Sequence, residues 1–435
     1  MDRSADLSLK IIKFEPRLGR IVLIAAALIC VVTAWFFVKW NFANAVSSRL
    51  DIKRPEFKPV ADWLTQLAPS DPQTHLTAAR VYERTFDTGD LTRSLNEYEI
   101  TVALSPYNYF NWVDLGKARG LDGDPDGARA AYERALQLAP NYAAVQWVYG
   151  NSLIREGKTD EGFSLIAKAA ASNPEYSLPA VQTALQIFNN DIAKVQQSLG
   201  DTDVTNAALA HVFAAQMHFD EAFAAWAKLA DNDRSSKFKK LGEDLIDKFA
   251  AARRFQLAAK VASGIRTNEA EKPVIGRISN GGFEDGVKLR NAGLFEWQIA
   301  EGAQPQIALS ETEAHSGKYS LWMIFNSFET AAFRPVSQTV ALQPGAEYEF
   351  EAFYRSDLKT AASIKWEIVN ALTTAPIAST PSAPPAPEWM PLRVKFTIPT
   401  DSDGILIRLV REGCSGPSCP MSGSLAFDDI SLRRL

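Results

Sequence analysis

Pro72, Pro106, Pro140 and Pro174 follow one another at intervals of 34 residues. Proline has no N–H to give and its ring collides with the preceding turn, so it ends a helix rather than continuing one. Stops at a fixed period cut the chain into equal units. Such a period marks a solenoid, in which no unit buries its apolar face alone and each completes its core against the next. A chain built this way acts chiefly by holding partners.

Within the third unit, Trp112, Leu115, Gly116, Ala128, Tyr132, Ala135 and Pro140 sit where two packed helices need them. Tyr149, Gly150, Leu153, Gly162, Ile166, Ala169 and Pro174 repeat the pattern in the next unit. This resembles the tetratricopeptide repeat, a helix-turn-helix of about 34 residues. The resemblance spans 60–264. Residues 60–67 read as the second helix of an incomplete repeat, and 75–106 form a degenerate unit keeping Val81, Tyr82, Leu95, Tyr98 and Leu104. Past Pro174 the period slips, with helical stretches at 178–188 and 192–199. It resumes at Leu209, Ala210, Phe213, Ala222, Trp226 and Leu229, and a last pair covers 238–262 with Gly264 as its stop. Gly116 and Gly150 fall where two helices touch, while Tyr132 and Ile166 fill the space between units.

The resemblance implies a concave groove on the first helices, with Glu83, Lys117 and Asn151 at its centre and Phe110, Val113, Trp147, Ile154 and Arg155 beside them. One amide, charges of both signs and an aromatic anchor suit an extended peptide; a solvated or self-packed face is the alternative. The row lacks the repeated Lys and Asn of the chaperone-tail-binding members.

Residues 21–38 are almost entirely apolar and end beside Trp35, Lys39 and Trp40, side chains favoured at a membrane-water interface. The run is just long enough to cross a bilayer core, so 21–40 is expected to be a transmembrane helix, with a cleaved signal peptide as its rival. Arg3, Lys10, Lys13, Arg17 and Arg20 put residues 1–20 in the cytoplasm by the positive-inside rule and the bulk outside it. Residues 41–59, with Pro55 and Pro59, read as a spacer.

After a linker at 265–275, helical periodicity gives way to short alternating runs at 319–325, 337–342, 348–355, 363–369, 392–398, 405–410 and 425–432. Pro344-Gly345, Asp403-Gly404 and Ser422-Gly423 provide turns, and the Pro-rich stretch 373–387 reads as an exposed loop. This spacing fits an antiparallel sandwich over 276–435. Asn280-Gly281-Gly282-Phe283-Glu284, Trp297, the 315–321 segment His-Ser-Gly-Lys-Tyr-Ser-Leu and Phe427-Asp428-Asp429-Ile430 resemble the galactose-binding-like jelly rolls that include many carbohydrate-binding modules. The resemblance implies a structural calcium ion held by Glu284 with Asp428 or Asp429, oxygen ligands suited to that ion; turn caps or pairs with Arg433 and Arg434 are the other reading. It also implies sugar stacking on exposed aromatics. Trp322, Tyr354, Trp366 and Trp389 are the large aromatics available; strand alternation makes most of them core rather than platform, and Trp389, beside the Pro-rich loop, is the best exposed candidate. Cys414 and Cys419 could close a small disulfide in an oxidising compartment, worth roughly 2 kcal/mol. Cys30 lies inside the apolar run.

At 435 residues, 46% hydrophobic and 22% charged, the chain is long enough for several cores. A net charge of −5 without a concentrated basic face points away from nucleic acid. Four scattered histidines give no zinc pattern, and no nucleophile elbow, phosphate loop or HExxH helix appears. The expectation is a multidomain, non-catalytic scaffold: an inner-membrane helix, a periplasmic all-α repeat array gathering a protein partner, and an all-β jelly roll contacting polysaccharide, in envelope or exopolysaccharide assembly. Its alternative is a glycan-binding module carried on a repeat spacer.

Overall fold

The computed structural model describes residues 16–85, 87–329, 333–413 and 418–435. They fall into two compact units, Met1–Tyr176 and Ser177–Leu435.

The first unit is helical: α1 (Pro16–Ser47), α2 (Lys58–Leu67), α3 (Pro72–Glu83), α4 (Asp90–Leu104), α5 (Tyr109–Leu121), α6 (Pro125–Leu138), α7 (Ala143–Arg155) and α8 (Thr159–Ser172). α1 is long and apolar enough to cross a membrane, a test that a signal sequence also passes. Its last turns run on into the expected spacer, pack against α2 through Ala43, Leu64 and Ala68, and reach α3 where Thr77 Oγ1 donates to the Ser47 carbonyl. The half unit at 60–67 therefore has a first helix after all, the end of α1.

Pro106, Pro140 and Pro174 each stand two residues past a helix end, as expected of stops. Pro72 behaves differently. It opens α3 just after Asp71, whose side chain caps the Gln73 amide, because the first turn needs no N–H from proline. A second ladder in the same register, Gly89, Gly123 and Gly157, escaped the sequence reading. Each adopts a left-handed φ of 82–85° in the turn between the two helices of a pair. Gly116 and Gly150 sit where helices touch: a Cβ on the first would strike the Tyr132 ring and one on the second Ile166 and the Gly162 carbonyl. Tyr132 also stacks on Tyr149 of the following repeat, ring centroids 5.5 Å apart.

The second unit opens with α9 (Ser177–Ile187), α10 (Ile192–Leu199), α11 (Asp203–Ala215), α12 (Phe219–Ala227), α13 (Asp231–Ser235), α14 (Lys239–Ala251) and α15 (Phe255–Ile265). Their turns keep the left-handed residue but place Asn190, Met217 and Arg253 there instead of glycine. The turn geometry thus outlasts the signature that would have revealed it.

Among the described residues eleven strands follow: β1 (Gln298–Ile299), β2 (Gln306–Ser310), β3 (Ser320–Glu329), β4 (Val336–Ala341), β5 (Glu347–Ser356), β6 (Lys359–Thr360), β7 (Ser363–Asn370), β8 (Pro376–Ser379), β9 (Ala386–Thr397), β10 (Gly404–Glu412) and β11 (Ser418–Arg434). All pairings are antiparallel. One sheet runs β1-β4-β10-β7-β8 and the other β2-β3-β11-β5-β9, with β6 on β11. The two sheets bury Phe283, Trp297, Phe350, Trp366 and Phe427 between them. The Pro-rich stretch is only partly a loop, since β8 and the start of β9 lie inside it.

α15 is seated on the sandwich. The Asp403 carboxylate, from the β9–β10 turn, accepts the amides of Phe255 (3.0 Å) and Gln256 (2.9 Å) and so caps the helix from 148 residues away. Gln256 Nε2 donates to the Leu342 carbonyl, and Arg253 Nη1 to that of Ala371. Residues 265–275 are no loose tether either, because Arg266 bonds to Glu296 at 2.9 Å.

Candidate functional site

The first candidate surface lies on the repeats. Glu83, Lys117 and Arg155 come from α3, α5 and α7 and line one cavity of about 490 Å³, with Leu121, Tyr132, Ser152 and Glu156 completing its wall. The 34-residue spacing brings Glu83 and Lys117 together, since equivalent positions on successive repeats face the same side. Tyr132, Ser152 and Glu156 were missed, because the reading followed first-helix centres alone.

The charges in this cavity are not equally available. Glu83 accepts the Tyr98 hydroxyl at 2.6 Å, and Glu156 is paired with Arg129 at 2.7 Å. Among the described residues Lys117 has a single partner, Asp114 at 3.2 Å, and Asp114 is shared with Arg80. Arg155 is exposed, with no side-chain partner among the described residues. The two acids are thus occupied while the two cations still face solvent. Burial pushes the Tyr132 phenol up to about 12, so it stays a neutral donor on the wall.

The other expected groove residues have different fates. Val113 is buried and belongs to the core, which removes it as a contact residue. Ile154 packs over Gly162, where small residues let α7 and α8 approach. Asn151 donates to the Trp147 carbonyl one turn back, and Trp147 stacks on Tyr176 at 5.1 Å. Phe110 is half exposed and stacked on Tyr109 at 4.2 Å.

The second candidate surface is the outer face of the six-stranded sheet. Trp366 and Tyr354 are buried among the core side chains, which rules them out as sugar platforms. Strand alternation explains this: Tyr354 points inward and Phe353, its neighbour, outward. Trp389 is half-buried and meets His315 at 5.6 Å, while His315 lies flat over Phe353 with centroids 4.0 Å apart. Phe353, His315 and Trp389 form an outward aromatic cluster, of which the sequence had suggested only Trp389. Trp322 is half-buried on β3.

Glu284, Asp428 and Asp429 are brought to one corner, around Gly282. Their oxygens face hydrogen-bond donors. Asp428 Oδ2 accepts the His315 and Ser316 amides and Oδ1 that of Asp429. Glu284 Oε1 accepts the Lys318 and Tyr319 amides. Asp429 accepts from Ser316 Oγ and lies 2.6 Å from His315 Nδ1. Burial pushes the Asp428 carboxyl up, against the three amides that hold it down. Among the described residues no group of three or more acidic, His or Cys side chains is arranged to hold a metal ion. These carboxylates staple the 315–319 turn to the turn that carries Glu284 and to β11, the last strand. Cys419 is buried and disulfide-bonded, while its expected partner Cys414 lies outside the described residues.

A tetratricopeptide-repeat family model matches residues 121–187. No curated protein matches the chain in sequence. Among solved structures, YrrB, a TPR protein with an unusual peptide-binding site, is 20% identical, covering 38% of this chain and 88% of its own at a TM-score of 0.29. TmCBM61 in complex with β-1,4-galactotriose is 18% identical, covering 36% of this chain and 96% of its own at a TM-score of 0.27. A CBM4 structure is 15% identical, covering 36% and 99% at a TM-score of 0.28.

Proposed function

We propose that this chain, a tetratricopeptide-repeat array followed by a jelly-roll sandwich, is a non-catalytic scaffold. α1 anchors it in a bacterial inner membrane, and its repeats and sandwich stand in the periplasm and serve envelope or exopolysaccharide assembly. The disulfide at Cys419 supports an oxidising compartment. The observation that carries the reading is the cavity in which Arg155 has no side-chain partner among the described residues and the exposed Lys117 only an Asp114 that it shares with Arg80, while Glu83 and Glu156 are already engaged. It suits an extended peptide that brings a carboxylate between the two cations, a charge-assisted contact stronger than one between neutral groups.

Reversing both charges, Lys117→Glu with Arg155→Glu, is expected to weaken capture of an acidic partner peptide at least about a hundredfold, since two such contacts are each worth about 1.5–3 kcal/mol and about 1.4 kcal/mol is tenfold. Titration of the parent and the double mutant with an acidic peptide library measures this. Equal affinities for the two proteins would remove the cavity from the reading.

A glycan-recognising sandwich is the second reading, favoured by the outward cluster of Phe353, His315 and Trp389. A ring face of this kind stacks on the apolar face of a pyranose. Trp389→Ala is expected to abolish retention on a glycan array without unfolding the domain. Calcium chelation should leave retention unchanged, because backbone amides already hold the acidic corner. A blank array for the parent protein excludes this reading, and a signal lost on chelation restores calcium to that corner.

A further inference from the structure

The apolar run ends at Val38, yet α1 continues to Ser47 without a break. Residues 39, 43, 46 and 47 share one face of a helix. Ala43 and Ser47 are buried on that face, and Lys39 and Val46 are half-buried. Two polar contacts lock it to the repeats. Asn44 Nδ2 bonds both oxygens of Asp71, at 3.2 and 3.1 Å, and Thr77 Oγ1 donates to the Ser47 carbonyl at 3.3 Å. The span therefore has no slack before the first helix pair.

Another side of α1 carries Phe42, 52% exposed, whose ring meets Trp63 of α2 edge-on at 6.2 Å. Trp63 is itself 48% exposed, and Pro59 and Gln66 flank it on the exposed face of α2. Phe42 lies about 6 Å along the helix beyond Val38, four residues at about 1.5 Å each. The headgroup zone on each side of a bilayer is about 5–8 Å deep. Trp63 is thus held at headgroup depth, where amphipathic rings are favoured. Between 39 and 58 stand Lys39, Arg49, Lys53, Arg54 and Lys58 against Asp51 and Glu56. Lys58 is turned inward to Asp87 and Asp90 and Arg54 is paired with Asp51 at 3.2 Å, which leaves Arg49 and Lys53 as exposed cations in the stretch that follows α1.

We propose that the exposed face of α2, centred on Trp63, is a membrane-contact surface that seats the first helix pair among anionic lipid headgroups. This rests on reading α1 as the membrane helix. The anchor then fixes the orientation of the first repeats instead of tethering them, and attraction to the anionic surface adds to the aromatic insertion.

The test uses the full chain in vesicles of mixed phosphatidylcholine and phosphatidylglycerol, in a Cys30→Ser background. Single cysteines at Gln66→Cys, Phe36→Cys and Asp126→Cys carry an environment-sensitive fluorophore, and lipids bear a nitroxide either near the headgroup or near the chain end. The label at 66 is expected to shift to the blue and to be quenched several-fold more by the shallow nitroxide than by the deep one. The label at 36 should respond to the deep nitroxide and that at 126 to neither. Trp63→Ser should cut the quenching at 66 several-fold. Quenching at 36 with a water-like signal at 66 overturns the contact surface while keeping the span. No quenching at 36 overturns the span and the inference with it.

Discussion

Replacing Trp366 by alanine is expected to destabilise the sandwich by about 3–5 kcal/mol, the usual cost of emptying a large buried aromatic site. Trp366 is fully buried, with Phe427, Trp297 and Phe350 around it at centroid distances of 5.2, 5.8 and 6.0 Å. Both sheets lean on this ring, so the cavity has no flexible wall to collapse into. Among the described residues its indole N–H finds no hydrogen-bond partner. Trp366→Phe keeps much of the packing and removes that unsatisfied donor, so its loss should be nearer about 1 kcal/mol. Chemical denaturation followed by near-ultraviolet dichroism separates these outcomes. An alanine variant as stable as the parent would mean that Trp366 is not the centre of the core.

Gly150→Val carries the second large effect, expected to cost about 2–3 kcal/mol and to loosen the pairing of α7 with α8. A Cβ at this position would lie 2.8 Å from the Gly162 carbonyl oxygen and from Ile166 Cγ1. The contact is reciprocal, since a Cβ on Gly162 would lie 2.7 Å from the Gly150 oxygen. Backbone meets backbone there, so neither helix yields by turning a side chain. Faster amide exchange across 143–172 is the readout. Gly157→Asn supplies the contrast. Its φ of 82° suits asparagine and nothing lies within 4 Å of the added atom, so the loss should stay below about 1 kcal/mol. Equal exchange in the two variants would place the helix contact elsewhere.

Much of this architecture was readable because periodicity is a property of the linear chain. The helix pairs followed from the spacing of Trp112, Gly116, Tyr132 and Pro140, and the strands from alternation at 348–355 or 363–369. The candidate sites were less legible. Val113 and Lys117 stand four apart on one helix, yet one is core and the other lines the cavity, a difference settled by the neighbouring repeat. Tyr354 and Phe353 are adjacent, and one residue of register decides which is core and which faces solvent. His315 stands in the sequence only as part of the 315–321 motif, and the fold is what stacks it on Phe353 and sets it against Asp429.

The sequence by itself determined the order of parts: an apolar helix, a repeat array, then an antiparallel sandwich. These depend on local stops, turns and hydrophobic period, which act over a few residues. Tertiary structure alone decided that α1 completes the first helix pair, that Asp403 caps α15, and that the acidic corner staples a turn. It also decided which charges of the cavity are free, because a carboxylate is available or engaged according to a partner such as Tyr98 or Arg129 that lies 15 or 27 residues away in the chain. Pairings of that kind need the chain to fold back on itself, and no local pattern encodes them.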